Sequence, residues 1–286
     1  MAGNAFLSIA KLVIGFLSGS LAVIGDGIDS TTDVAISLVM VFTARIVNRP
    51  PDKKHAYGHE KAESIATKIL SFIIFYAGIQ ILISSIKQIF YAETKLLPSL
   101  LAIYVTVFSI IGKLLLAYYQ FAQAKKIDSN MLRANAKNMR NDVVISLSVL
   151  VGLIFTFALK MPVLDAVTGI LVALYILYSA FGIFMDSNIE LMDSVKDISV
   201  YDQIFEAINE VSEAKRPHRI RVRTVGGLYN IGIDIEVNGN ISLHEAHKIA
   251  TNVEESIHRK ISNIYDIRIH VEPEGTIHHN ERFGLE

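Results

Sequence analysis

The sequence predicts a polytopic helical membrane domain followed by a small α+β domain. Three observations carry that prediction. The chain is 51% hydrophobic over 286 residues, and its mean hydropathy of +0.40 is too high for an ordinary soluble protein. The apolar residues are gathered into long stretches that stop near Asn188. From about Asp193 onward the composition is mixed and the periodicities are short. The expected division is therefore residues 1–192 and residues 193–286.

Six stretches can span a bilayer. They are Ala5–Phe16 (reaching back toward Met1), Leu21–Val47, Ala66–Phe90, Leu97–Ala122, Val143–Leu159 with a polar start near Leu132, and Val163–Phe184. The first is short. Ser18-Gly19-Ser20 marks the turn after it, and Met161-Pro162 marks the turn before the last. Met1–Phe16 has neither a basic leading region nor a cleavage site, so no cleavable signal peptide is expected. The apolar run begins so abruptly that a few preceding residues are expected to be missing.

Basic residues orient the spans. Arg45, Arg49, Lys53, Lys54 and Lys61 follow the second, and Lys125, Lys126, Arg133, Lys137 and Arg140 follow the fourth. The opposite connections carry only Lys95 with Glu93, and Lys160. Both basic connections are expected in the cytoplasm, which places both chain termini there too.

The polar tail reads as α-β-β-α-β. Val200–Val211 has helical periodicity, and Ile220–Val225 and Tyr229–Val237 alternate around a Gly226-Gly227 turn. Ser242 and Glu245 form a capping box for a helix to Lys260, and Ile264–Val271 alternates again. Two helices on one face of a three-stranded sheet make a plausible small domain.

Composition excludes several chemistries. Cysteine is absent, so there is no disulfide, thiolate site or cysteine nucleophile. A net charge of −1 without a basic cluster argues against nucleic acid as a partner. No nucleophile–base constellation or phosphate loop is present, so an enzyme is not expected.

The functional signal lies in acids inside apolar helices. Asp29 and Asp33 interrupt the second span, and Asn138 and Asp142 open the fifth. An ionisable residue at membrane depth marks function by default. The i, i+4 spacing puts both members of each pair on one helical face. Together they offer an all-oxygen shell, which suits Mn²⁺, and Fe²⁺ less decisively, better than Zn²⁺ or Cu²⁺. Three carboxylates crowded in a low dielectric repel one another, and either protons or a divalent cation relieves the repulsion. Metal–proton exchange follows from these residue types. Asp26 shares the face and reads as a proton relay, a metal-site support or an acid wetted by an outer cavity. Lys113, in the fourth span, either snorkels or pairs with an acid.

Two further clusters suggest metal. Asp52, His55 and His59 lie in the connection after the second span, and the histidines share a face if that segment is helical. In the tail, His270 and Glu272 are two apart on a strand and point the same way. Asp234 lies on another strand, and His218, His244 and His247 add nitrogens, with His278 and His279 at the end. A polar histidine-rich surface is the plainer alternative.

Several stretches together resemble the cation diffusion facilitators, secondary transporters of divalent metals. They are SGSLAVIGDGIDSTTD (Ser18–Asp33), PPDKKHAYGHEKAE (Pro50–Glu63), NAKNMRND (Asn135–Asp142), HEAH (His244–His247) and IHVEP (Ile269–Pro273). The resemblance covers essentially the whole chain. It implies a transport site at Asp29, Asp33, Asn138 and Asp142, a loop site at Asp52, His55 and His59, and a cytoplasmic binuclear site at His218, Asp234, His247, His270 and Glu272. Asn138 stands where zinc-type members usually carry His, and members lacking that His are associated with manganese. Asp234 and Glu272 stand where the best-known zinc/iron exporter has His and Asp. The resemblance also implies a metallochaperone-like (ferredoxin-like) tail that binds metal and dimerises, a homodimer supported by a Lys61–Asp193 salt bridge, and alternating access driven by inward proton flux.

The expectation is thus a proton-coupled Mn²⁺ exporter in the lipid bilayer of the plasma (inner) membrane. The rivals are a Zn²⁺ or Fe²⁺ exporter of the same family and a metal sensor or scaffold that does not transport. Paired acids also suggest an intramembrane aspartyl protease, but Gly-x-Gly-Asp is absent around Asp142.

Overall fold

Among the described residues, the helices and the regular strands follow from apolar patterning and turn chemistry. The computed structural model describes residues 2–90, 97–127 and 130–276, without the side chains of 124, 125, 127 and 130–135. Glu93, Lys95, His278 and His279 lie outside the described residues, as do the side chains of Lys125 and Arg133. The elements are α1 (Ala2–Ser18), α2 (Leu21–Val47), α3 (Lys61–Phe90), α4 (Leu101–Ile127), α5 (Asn130–Ala158), α6 (Val163–Leu191), α7 (Ser199–Asn209), β1 (Lys215–Val225), β2 (Leu228–Val237), α8 (Leu243–Lys260) and β3 (Ile264–Pro273). α3 starts five residues before the expected Ala66, and β1 starts five residues before the expected Ile220. The extension of β1 is irregular: the register with β2 shifts on both sides of His218, and Arg216 and Arg219 take positive φ of 40° and 48°. Alternation is lost there, so the pattern did not reveal the strand.

Among the described residues, five helices are long and apolar enough to cross a membrane, and α1 is a shorter apolar helix of 17 residues. Three of them end alike. In α1, the Gly19 and Ser20 N–H groups donate to Phe16 and Gly15 carbonyls; in α5, those of Lys160 and Met161 donate to Phe157 and Thr156; in α6, those of Asp193 and Ser194 donate to Glu190 and Ile189. Each is a Schellman cap, which needs left-handed backbone at its C′ residue. Gly19 supplies it freely at φ 70°. Lys160 and Asp193 adopt it at 52° and 56° despite their side chains.

The chain divides into two compact units, one formed by residues up to Ala44 with Ala66–Met185, the other by Arg45–Ile65 with residues from Asp186 onward. The first unit has its polarity reversed relative to a soluble protein. Large side chains such as Phe6, Phe42, Tyr104, Leu115 and Tyr178 are exposed, while Ser8, Lys11, Asp26, Ser30, Thr106, Ser146 and Asp165 are buried. Lipid is the solvent that such an exterior matches. Small residues let the helices close: a Cβ added at Gly25 of α2 would come within 2.8 Å of Val172 Cγ1 on α6. The Asp165 carboxylate of α6 anchors the start of α2, accepting from Ser20 Oγ (2.5 Å) and the Leu21 N–H (2.9 Å).

The second unit is conventional. β1 and β2 form an antiparallel hairpin, and β3 adds parallel to β2. Gly226 and Gly227, at φ 58° and 79°, fit the two-residue turn with left-handed backbone at both positions. Ile204 and Ile208 of α7 and Val253 and Ile257 of α8 pack on Ile220, Val222, Ile231, Ile233 and Ile235. Each buried isoleucine contributes about 1.5–3 kcal/mol by leaving water. The capping box forms as expected: Ser242 Oγ accepts from the Glu245 N–H, and the Glu245 carboxylate accepts from the Ser242 N–H.

Candidate metal centres

In the membrane unit, α2 and α5 bring acids together. The Asp33 and Asp142 carboxyl groups lie close enough to interact directly. Asp29, one turn back on α2, interacts electrostatically with Asp142, Lys113 and Asp26. Asp29, Asp33 and Asp142 are partly buried. The three carboxylates therefore form the cluster, and the Asn138 side chain is exposed one turn before Asp142.

Lys113 resolves in favour of an acid partner. Its ammonium lies 3.0 Å from Asp142 Oδ2, with the two side chains 2% and 14% exposed. Asp26 also resolves, but not as an acid wetted by a cavity. It is fully buried and ion-paired to Lys11 Nζ at 2.8 Å. Lys11 Nζ also donates to Ser30 Oγ (3.1 Å) and Ser146 Oγ (2.9 Å), and Ser146 Oγ donates to Asp26 Oδ1 (2.9 Å). α1, α2 and α5 are thus tied by a polar layer one turn along from the acid cluster. Lys11 and Ser146 are not marked by the spacing of the acids. The signal for Lys11 was available, because a lysine within an apolar span follows the same rule as the aspartates. Ser146 lies four residues after Asp142, on the same helical face.

The second cluster, in the loop between α2 and α3, forms without a helix. Residues 51–60 are turns and bends, so the shared helical face does not exist. Turns bring the histidines together instead, with ring centroids 4.5 Å apart. His55 Nδ1 lies 3.3 Å from Asp52 Oδ1, and His59 Nε2 lies 3.5 Å from Asp52 Oδ2. One ligand atom from each of the three residues falls within 4.8 Å of the others. The backbone N–H groups of Lys54 and His55 each donate to Asp52 Oδ1 at 2.7 Å. They hold its carboxyl below the usual range, so it stays anionic as a ligand must. His59 Nδ1 is buried without a hydrogen-bond partner among the described residues, a nitrogen that a cation would satisfy.

The third cluster lies on the sheet face opposite α7 and α8. His218 pairs in register with Asp234, and Asp234 with His270. Ligand atoms of His218, Asp234 and Glu272 fall within 4.8 Å of one another. His218 Nδ1 donates to the Arg216 carbonyl at 2.9 Å, which leaves the Nε2 lone pair facing Glu272 Oε2 at 3.6 Å. His270 Nε2 lies 3.1 Å from Glu272 Oε1. His247 does not join them; it is exposed on α8. Two neighbours of the cluster were overlooked. Arg219 Nη1 contacts Asp234 Oδ2 at 3.2 Å, and Arg216 Nη1 contacts the buried Glu236 at 3.1 Å. Both arginines sit in the irregular part of β1, where alternation gives no clue to facing. Separately, Lys61 Nζ and Asp193 Oδ1 lie 2.8 Å apart within one chain, Asp193 being held by the Schellman cap of α6.

Two family models together match nearly the whole chain. Residues 1–192 match the cation efflux transmembrane domain, and residues 197–274 match the cation efflux protein cytoplasmic domain. The chain belongs to the cation efflux family, the cation diffusion facilitators. It is an integral membrane protein that transports metal cations, not an enzyme. It is similar to the manganese efflux system protein MneS of Bacillus subtilis, with 33% identity over 93% of this chain and 91% of the relative. It is also similar to the manganese efflux system protein MneP of the same organism, with 28% identity over 94% and 92%. The cation-efflux pump FieF of Pectobacterium atrosepticum is 27% identical over 98% and 92%.

Proposed function

We propose that the protein exports Mn²⁺ from the cytoplasm in exchange for protons, through a site made by Asp29, Asp33, Asn138 and Asp142. The observation carrying this reading is the meeting of the Asp33 and Asp142 carboxyls with Asp29 nearby, in a cluster without imidazole or thiolate. Oxygen ligands favour Mn²⁺ over Zn²⁺, and two relatives are named as manganese efflux proteins. Protons arriving as metal leaves relieve the same carboxylate repulsion that the metal relieves, so alternating exposure of the site couples the two fluxes.

On this reading residues 1–192 are the transport domain, with both termini cytoplasmic in the plasma membrane. Residues 193–286 form a cytoplasmic domain that binds metal and holds a homodimer together. His218, Asp234, His270 and Glu272 sense metal there, His247 being available for a ligand shared between chains. Asp52, His55 and His59 form a loop site suited to Zn²⁺ or a similar ion. The Lys61–Asp193 bridge steadies the junction at which the dimer forms.

Flux into proteoliposomes under an imposed pH gradient tests the reading, comparing Mn²⁺, Fe²⁺, Zn²⁺ and Co²⁺. Mn²⁺ is expected to move fastest, with flux falling when the gradient is collapsed. Asn138→His should raise zinc flux relative to manganese by about tenfold, an imidazole nitrogen replacing an amide oxygen. Dominant Zn²⁺ or Fe²⁺ flux in the wild type would favour the other exporters. Tail metal binding without flux would make the chain a sensor.

A further inference from the structure

The buried lysines of the membrane unit are held differently, and the difference assigns one of them to the transport cycle. Lys11 is fully enclosed, with its ammonium on three oxygens, those of Asp26, Ser30 and Ser146. Every lone pair it meets belongs to the polar layer beside the acid cluster. Lys113 of α4 is 2% exposed, and among the described residues its ammonium contacts one oxygen, Asp142 Oδ2 at 3.0 Å. That oxygen belongs to the acid cluster itself.

We propose that Lys113 is a tethered counter-cation: its ammonium occupies Asp142 when no metal is bound and is displaced by the incoming divalent ion. The proposal rests on the transport-site reading above. A divalent cation ligated by Asp142 and an ammonium 3.0 Å from the same carboxylate repel strongly in a poorly screened interior. The two cations therefore alternate. The four-carbon lysine stem allows the ammonium to swing away without movement of α4. Metal then binds a state populated only in part, so apparent affinity is reduced by that fraction. The returning ammonium competes with metal during release. Lys113 is accordingly a positioning residue that exchanges tight binding for fast turnover. No change in its own protonation is required.

The test is metal-dependent flux in proteoliposomes of the full-length protein carrying Lys113→Gln, Lys113→Arg or Asp142→Ala. Lys113→Gln should lower the apparent KM for Mn²⁺ about tenfold, the cost of competition being removed. It should also lower kcat several-fold, because release loses its competitor. Lys113→Arg, which keeps the charge, should stay within about threefold of wild type in both. A Lys113→Gln KM that is unchanged or raised overturns the proposal, as does a fall in kcat alone. Asp142→Ala separates the two claims. Wild-type flux in Asp142→Ala contradicts the transport site itself. Abolished flux there, with an unchanged KM in Lys113→Gln, contradicts only the counter-cation. A wild-type measurement stands beside these in case Lys113→Gln does not fold. Labelling of Lys113 by a membrane-permeant amine reagent should rise several-fold at saturating Mn²⁺, and unchanged or reduced labelling overturns the proposal.

Discussion

The two units solve the same burial problem in opposite solvents. In the cytoplasmic-type unit, Ile204, Ile231, Ile233 and Ile257 are inside, and the candidate ligands His218, Asp234 and His270 lie on the sheet face away from α7 and α8, half-buried to exposed. In the membrane unit, Phe6, Tyr104 and Tyr178 are outside, and charge lies within, at Lys11, Asp26, Lys113 and Asp142. The contrast shows what each site can do. Ligands on the outer face of a unit with an ordinary apolar core are reached by dissolved ions without passage between lipid-facing helices, which suits sensing. Charges enclosed among helices must always be compensated, whether by a lysine, a proton or a metal. A site whose compensation must be exchanged has the property that the proposed coupling of metal and proton fluxes requires.

The largest expected effect comes from breaking compensation in the membrane. Asp33→Ala should reduce Mn²⁺ flux by roughly a hundredfold or more, the scale at which even supporting residues of metal sites act. Protection of α8 and β2 against hydrogen exchange should stay unchanged, because their core lies in the other unit. Next, Lys11→Met leaves Asp26 buried without its ion partner and should destabilise the membrane unit by about 3–5 kcal/mol. Unfolding in detergent would show this, with Lys11→Met/Asp26→Leu recovering most of the loss.

Changes in the tail should spare transport-site binding. Ile233→Ala, at a residue 1% exposed, should cost about 2–5 kcal/mol and weaken exchange protection across β2 and α8. Ser242→Ala removes the α8 cap and should cost about 1 kcal/mol, read as faster exchange in the first turn. The smallest effect is that of Glu210, whose carboxylate accepts from Ser256 Oγ at 2.7 Å and pairs with Lys260 at 3.1 Å. These partners hold its carboxyl below the usual range. Its contribution is therefore complete above the unfolded-state value and lost as pH falls through the folded one. Acidification below the ordinary carboxylate range should loosen the α7–α8 contact in the wild type more than in Glu210→Gln, measured by exchange at those helices.

Patterning made the helices and the regular strands legible. A lipid-facing span and a half-buried strand each carry a strong periodic or compositional signature. The start of β1 carried none, because Arg216 and Arg219 adopt left-handed backbone and break the alternation. The acid cluster could be read because i, i+4 spacing fixes a face before tertiary structure is known. The polar layer around Lys11 could not be assembled from the sequence, since it joins residues 11, 26, 30 and 146 from three helices. The meeting of Lys113 with Asp142 was likewise one of two readings until α4 and α5 were placed together. The loop histidines were grouped for a reason the structure does not support: turns, not a helix, juxtapose them.

The most direct test of the central claim is Mn²⁺ flux through Asp142→Ala beside His218→Ala, in proteoliposomes of matched protein content under the same pH gradient. The enclosed acids are expected to be indispensable, so Asp142→Ala should show no flux above empty liposomes while His218→Ala retains transport with an altered dependence on metal concentration. Persistent flux in Asp142→Ala would contradict the account.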